Sequence, residues 1–271
     1  LKLSNRRLSK MAIIKGYVQT ELGQVHYRKK EGEGLPIVCF HQTASSSAMF
    51  EAFMAEFTGS NPVIALDTPG FGGSYDPTDE PTMDQYADQI VDAMRGLGID
   101  KAHLFGHHTG ASIAVEIAAR YADLSESLAM IGPVVITREE AEMFKQVYPK
   151  DFSLKADGSH IMKMWAYVEE IGGNHSLALH HREFVDTARA WEGHIKMYSQ
   201  IWDQDFIALY QAVQCPMLIM CSENDVLWSI FERAQELRPD ASVKVVAGSN
   251  FQLDEAPGEV ASAIKALISE G

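Results

Sequence analysis

Short, almost entirely apolar segments recur along this chain, and most of them are separated by segments with the periodicity of helices. In order, the apolar segments are PIVCF, PVIALD, AHLF, LAMI, MLIM and VKVV. Apolar runs of this length are typical of parallel strands that are buried on both faces of a sheet. Because strands alternate with helices, the pattern predicts an α/β fold with a parallel, doubly wound sheet. A loosely alternating segment over residues 13–31 predicts two antiparallel strands ahead of them.

Two helices are well marked by their apolar spacing. The segment from Thr82 to Leu97 has apolar residues at three- and four-residue steps, and Thr82 with Gln85 can form a capping box at its start. The last helix is predicted from Pro257 onward, again with one apolar face.

The alternation of strands and helices stops between Pro133 and Val213, where helical patterns and many aromatic residues follow one another. A segment this long and this aromatic is neither a simple loop nor disordered. We therefore predict a helical cap, or lid, over residues 134–213, inserted after the sixth strand into a core made of residues 11–133 and 214–271. Its aromatic side chains are expected to cover an apolar pocket or to hold the cap on the core. Residues 1–10 are assigned to an N-terminal extension.

The composition of the chain disfavours some classes of binding partner. The formal net charge is −14 and no stripe of Lys and Arg is present, which disfavours binding to nucleic acid. No apolar stretch approaches the ~20 residues that span a bilayer. The basic residues at positions 1–10 lack the apolar core of a signal peptide, so we expect a soluble, cytoplasmic protein. Its expected partner is a small-molecule substrate, without nucleic acid or membrane, and a homodimer is left open.

Five motifs in order resemble those of the α/β-hydrolase superfamily, over nearly the whole chain from about residue 13. They are HQTASSS, DTPGFGGS, GHHTG, CPMLIMCSEND and AGSNFQLDEAPGEV. The resemblance implies a mostly parallel eight-stranded sheet flanked by helices, with the cap after strand six. It also implies hydrolysis of an ester or an activated C–C bond. GHHTG stands where that family has the nucleophile elbow G-x-S-x-G, in which a strand turns sharply into a helix.

The departures from the family pattern fall on the chemistry. His108 takes the position of the family nucleophile, and Asn250 takes the position of the family histidine. Gln42 replaces a glycine of the oxyanion loop, and the acid, Asp225, is kept. A Ser-His-Asp relay therefore cannot operate at these positions. Ser112, next to the elbow, is poorly placed to replace the missing serine.

A histidine at the elbow still permits catalysis. We predict an atypical His-Asn-Asp triad, in which the Asn250 amide donates to Asp225 and its carbonyl accepts the N–H of His108. The other ring nitrogen of His108 would then be free to act as a general base or as a nucleophile. The main-chain amides of Thr43, by resemblance, and of Thr109 are the expected oxyanion-hole donors.

Three functions are consistent with this site. The first is a cofactor-free hydrolase of a small, mostly apolar carbonyl compound, and the second is a lyase, decarboxylase or cofactor-free oxygenase that uses His108 as a general base. The third is a ligand-binding protein without turnover. His41, Gln42 and His107 are expected to line the pocket. We expect no metal and no nucleotide cofactor, because the sequence contains no metal-ligand spacing and no phosphate-binding loop.

Overall fold

The computed structural model of the chain describes residues 12–270, with the side chain of residue 270 excepted. Within these residues the eight strands form one sheet in the order β1-β2-β4-β3-β5-β6-β7-β8. The first two pairings, β1 with β2 and β2 with β4, are antiparallel, and all the others are parallel. The predicted α/β-hydrolase sheet is therefore confirmed. The strands are β1 Ile13–Gln19, β2 Gln24–Lys30, β3 Ile37–Phe40, β4 Val63–Leu66, β5 Ala102–His107, β6 Ser125–Ile131, β7 Met217–Cys221 and β8 Ser242–Val245.

One strand departs from the predicted burial. The residues of β3, β4, β5 and β7 are buried throughout, because helices cover both faces of the sheet there. Strand β8 is exposed along its whole length, although its apolar run VKVV predicts a strand that is buried on both faces. It lies at the edge of the sheet and pairs only with β7 among the described strands. An apolar run alone does not distinguish an edge strand from a central one.

Helices lie between the strands as the sequence pattern predicts. The capping box of Thr82 and Gln85 is present at the start of the second helix. None of the helices in residues 12–270 has the length and apolar character that crossing a membrane requires. The α-helices are α1 Glu51–Glu56, α2 Met83–Gly96, α3 Thr109–Arg120, α4 Arg138–Lys145, α5 Ser159–Glu170, α6 Leu177–Arg189, α7 Trp191–Gln200, α8 Phe206–Ala212, α9 Trp228–Leu237, α10 Gln252–Glu255 and α11 Pro257–Glu270.

Helices α4 to α8, which we call the cap helices, follow β6 and precede β7. Many of their aromatic rings stack on each other. The ring of Trp202 lies 5.0 Å from that of Phe144 and 5.5 Å from that of Tyr198. Tyr148 stacks on Tyr198 at 4.8 Å. These rings therefore hold the cap helices to one another. The assignment of residues 1–10 to an extension lies outside the described residues.

Candidate active site

The elbow between β5 and α3 has the sharp turn that the motif predicts. His108 sits at the turn with φ 47° and ψ −112°, and it is the one residue other than glycine with positive φ in residues 12–270. Such a conformation costs free energy and is kept where the surrounding structure requires it. A Cβ at Gly106 would lie 2.4 Å from the Gly110 carbonyl oxygen, and one at Gly110 would lie 2.1 Å from that of Phe40. These contacts confirm that both glycines let the helix approach the sheet closely.

The side chain of His108 bonds directly to the acid. Its Nε2 lies 2.9 Å from Oδ2 of Asp225, which follows the end of β7. Gly132 makes room for the ring, because a Cβ at that glycine would lie 2.3 Å from Cδ2 of His108. The side chain of His108 remains 12% exposed. No described residue bonds to its Nδ1, so that nitrogen is the one left for a substrate or a water.

Asn250 does not connect these two residues, and the predicted His-Asn-Asp relay is wrong in its connections. The Asn250 Oδ1 accepts from the main-chain nitrogen of Val226 at 3.0 Å. Its Nδ2 donates to the carbonyl of Ile171, at the end of α5, at 2.7 Å. The physical reason is the length of the side chain at the elbow. An imidazole reaches the carboxylate of Asp225 without an intermediate group, so Asn250 instead bonds to the main chain on both sides.

Two residues complete the surroundings of the acid, and sequence reasoning missed one of them. Gln252, fully buried, donates from Nε2 to Oδ2 of Asp225 at 2.6 Å, and its Oε1 lies 2.9 Å from Nε2 of His107. His107 is buried, and its ring stacks on that of His108 with centroids 4.5 Å apart. The sequence gives only a weak signal for Gln252, a polar residue between the apolar Phe251 and Leu253.

The charge state of this group follows from its contacts. Burial alone would raise the pKa of Asp225, but attraction to His108 and hydrogen bonds from His108, Gln252 and the Leu227 amide hold it below its ordinary value. Asp225 is therefore ionised at neutral pH, and His108 must donate to it from Nε2. Burial, reinforced by the adjacent His108, lowers the pKa of His107 to about 3. His107 is therefore neutral.

The expected oxyanion donors meet each other. The main-chain nitrogen of Thr43 donates to Oγ1 of Thr109 at 2.7 Å, and the two hydroxyl oxygens lie 3.0 Å apart. The two residues are thus brought together as predicted. The Thr109 hydroxyl thus already accepts the hydrogen bond of the Thr43 amide, whose role as an oxyanion donor stays a prediction.

The other predicted pocket residues are buried beside this loop. His41 donates from Nδ1 to the Gln42 carbonyl at 2.9 Å, and its Nε2 accepts from the Thr68 amide at 3.0 Å. Both ring nitrogens are therefore used, and burial lowers the pKa of His41. Gln42 contacts the carbonyl of Asn250 at 3.4 Å. Within residues 12–270 no group of three His, Cys, Asp or Glu side chains is arranged to hold a metal ion.

Cap helix α6 bonds to the segment that follows the oxyanion residues. Ser45 donates to Glu183 at 2.5 Å, and Ser46 donates to Asp186 at 2.8 Å. Burial raises the pKa of Glu183, although its ion pair with Arg182 opposes the change. Burial and the nearby Glu183 also raise the pKa of Asp186, to about 7. Helix α6 is thus joined to Ser45 and Ser46 through two carboxyl groups whose pKa values are raised.

This arrangement can be compared with known proteins. The family model of the thioesterase domain matches residues 35–268. The chain belongs to the thioesterase domain family. With its sheet and its structural neighbours, this establishes membership of the α/β-hydrolase superfamily, as the motifs predicted.

Its relatives include hydrolases of different kinds. The chain is 28% identical over 267 residues to 2-(acetamidomethylene)succinate hydrolase of Mesorhizobium japonicum, covering 89% of this chain and 91% of that protein. It is 24% identical over 271 residues to carboxylesterase YbfK of Bacillus subtilis, covering 94% and 88%. Among solved structures, an N-acyl homoserine lactonase superposes with a TM-score of 0.79 at 22% identity, covering 96% of this chain and 97% of that one. The last likeness concerns the fold alone.

Proposed function

We propose that this α/β-hydrolase cleaves an ester bond of a small, uncharged carbonyl compound, with His108 as the base that activates water. The observation that carries the proposal is the 2.9 Å contact between Nε2 of His108 and Oδ2 of Asp225. An ionised Asp225 requires the proton of the neutral imidazole to be on Nε2, so the lone pair is on Nδ1. That lone pair belongs to the nitrogen without a partner among the described residues.

The proposed reaction proceeds in two steps. Nδ1 of His108 accepts a proton from a water molecule while the water oxygen adds to the substrate carbonyl, which gives a tetrahedral oxyanion and an imidazolium. Asp225 stabilises that imidazolium through the existing hydrogen bond. The tetrahedral species then expels the alcohol oxygen, which takes the proton back from Nδ1. The products are the acid and the alcohol, and His108 returns to its neutral form.

Charge at the site favours an uncharged substrate. Among the residues that the structure describes, none of the hydrogen-bond partners of His108, Asp225 or Gln252 is a Lys or Arg. Arg182, on the cap helix beside the oxyanion loop, is already bound by Asp254 and Glu183. A carboxylate substrate, such as that named for the succinate hydrolase relative, would find no free cation among these described partners.

The test compares the rates at which the natural protein and His108→Ala hydrolyse activated aryl esters. We expect hydrolysis of uncharged 4-nitrophenyl esters to fall about 10²-fold or more in His108→Ala, because general-base catalysis contributes on that scale. An exposed histidine on α6 serves as the matched control, and His181→Ala should retain the full rate. A 4-nitrophenyl hemisuccinate should be a poorer substrate than the uncharged ester. Full turnover in His108→Ala would refute the proposal.

A rebuilt family triad gives an independent check. The double variant His108→Ser with Asn250→His restores the serine and the histidine at their family positions. If esterase activity appears only in this double variant, the natural site is not an esterase.

A second candidate is ligand binding without turnover. The hydrogen bond from the Thr43 amide to the Thr109 hydroxyl favours it, because the site satisfies this buried donor without any substrate. Under this alternative, uncharged carbonyl compounds raise the melting temperature, while hydrolysis by the natural protein equals that of His108→Ala.

A further inference from the structure

Gln252 stands at the start of α10 with both ends of its amide engaged. Nε2 donates to Oδ2 of Asp225 at 2.6 Å, the same oxygen that His108 Nε2 contacts at 2.9 Å. Oδ1 of Asp225 accepts from the Leu227 amide at 2.8 Å. The residue is fully buried, so water does not compete for either end of the amide. Gln252 and His108 therefore share one carboxylate oxygen.

The proton positions in this group follow from one another. Asp225 is ionised and only accepts, so Gln252 must direct its NH2 toward the carboxylate. Oε1 of Gln252 then faces His107 and accepts from Nε2–H at 2.9 Å. His107 stacks on His108, which closes a ring of four side chains. Nδ1 of His108, whose side chain is 12% exposed, has no hydrogen-bond partner among the described residues.

We propose that Gln252 is a positioning residue, which sets how strongly Asp225 holds the protonated form of His108. A hydrogen bond donated to Oδ2 offsets part of the negative charge of Asp225. Less of that charge is then available to stabilise the imidazolium of His108. Gln252 thereby weakens the attraction of Asp225 for the imidazolium, and it holds the carboxylate in line with Nε2. The rate effects described below depend on the proposed hydrolase function, but the effect on His108 protonation does not.

Few other titratable groups face this ring. His107 lies on β5 and stays neutral, since burial lowers its pKa to about 3. Cys221 lies at the end of β7, and burial with the nearby Asp225 raises the pKa of its thiol, which keeps it protonated. Gly132 lies next to the His108 ring and to the side chain of Leu227, and neither Gly132 nor Leu227 carries a titratable group. Asp225 and His108 are therefore the two groups whose charge Gln252 can tune.

The test replaces Gln252 by two side chains of similar length. Gln252→Met removes both hydrogen bonds, whereas Gln252→Glu keeps an acceptor for His107 and places a second carboxylate beside Asp225. Gln235→Met on α9 is the matched control for the exchange of Gln by Met. The protonation midpoint of His108 is measured by NMR of labelled histidine rings, with its signal assigned among the ten histidines by its loss in His108→Gln.

We expect the midpoint of His108 to rise by about 0.5 to 1 pH unit in Gln252→Met and by more in Gln252→Glu. The acid limb of kcat/KM should shift by the same amount while KM stays constant. Residue 252 would have only a structural role if Gln252→Met, once corrected for folded fraction, titrates as the natural protein does, and that result overturns the proposal. A new carboxylate at residue 252 raises the midpoint of His108 by itself, so Gln252→Leu, which also removes both hydrogen bonds, decides if Gln252→Met fails to fold. A natural protein without esterase activity would refute the proposed function, yet the NMR midpoint would still test Gln252.

Discussion

The hydroxyl oxygen of Thr109 lies 2.7 Å from the main-chain nitrogen of Thr43 and accepts its hydrogen bond. This is the distance at which an oxyanion would bind the same donor. The hydroxyl of Thr109 thus takes the position at which the expected oxyanion would bind the Thr43 amide. The expected role of this amide as an oxyanion donor requires the Thr109 hydroxyl to leave it during turnover.

Removing this hydroxyl should therefore increase turnover. In Thr109→Ala the Thr43 amide is free, and kcat/KM for an uncharged aryl ester is expected to rise about 3- to 10-fold. A gain of this size is below the full worth of one oxyanion donor. Thr109→Ser keeps the hydroxyl and is the matched control, with kinetics close to those of the natural protein. An alanine variant that is no faster than the serine variant would contradict this interpretation.

Gly132 should be essential for the position of His108. In Gly132→Ala the new Cβ would lie 2.3 Å from Cδ2 of His108 and would push the ring away from Asp225. Gly132 also has a φ of +60°, which alanine adopts only with strain. We expect a loss of stability of ~1–3 kcal/mol and at least a 10-fold loss of kcat. Stopped-flow kinetics and urea unfolding measure the two effects.

The control for this substitution is Gly98→Ala. Gly98 has a similar φ of +74°, but a Cβ there meets no atom within 4 Å. The Gly98→Ala variant should lose about as much stability as Gly132→Ala and should keep the kcat of the natural protein. Equal losses of kcat in the two variants would show that strain, rather than contact with His108, is responsible.

The stability that Asp186 of α6 contributes beside Ser46 should depend on pH. The pKa of Asp186 is raised to about 7, so the folded protein keeps a proton that the unfolded chain loses near pH 4. The stability contributed by this proton is complete below about pH 4 and is lost as pH rises to about 7. Asp186→Asn imitates the protonated form, and its free energy of unfolding at pH 8 should exceed that of the natural protein by on the order of 1–3 kcal/mol.

Urea unfolding at pH 5 and pH 8 measures this difference. The gain from Asp186→Asn should be larger at pH 8 than at pH 5, whereas the exposed Asp123→Asn should show no such dependence on pH. A gain that is equal at both values would mean that Asp186 does not hold the proton.

The fold was predictable because burial leaves a strong pattern in the sequence. The apolar runs of β3, β4, β5 and β7 are buried on both faces, and each of these runs predicts the strand that the structure has there. The glycines of the elbow were also predictable, since the close approach of α3 to the sheet excludes a Cβ at Gly106 and Gly110. The edge position of β8 was not, because strand order depends on tertiary pairing.

The side-chain connections of the site were predictable only in part. The motifs identified His108 and Asp225 as neighbours of one site, and the structure has them in contact. Sequence position suggested Asn250 as the link between them, but the reach of an imidazole from the elbow makes a link unnecessary. Gln252 lies two residues further on, and only the direction of its side chain in the folded chain brings it to Asp225. Side-chain direction of this kind has no signature in a single sequence.

The most direct test of the account is the pH dependence of kcat/KM for an uncharged aryl ester between about pH 5 and 9, the range in which an imidazole changes charge. It is measured for the natural protein and for His108→Ala at equal concentrations. If His108 is the base, the rate rises through a single ionisation in the natural protein, and His108→Ala has a low rate that lacks this ionisation. An ionisation of the same amplitude in both proteins would contradict the assignment of His108 as the base.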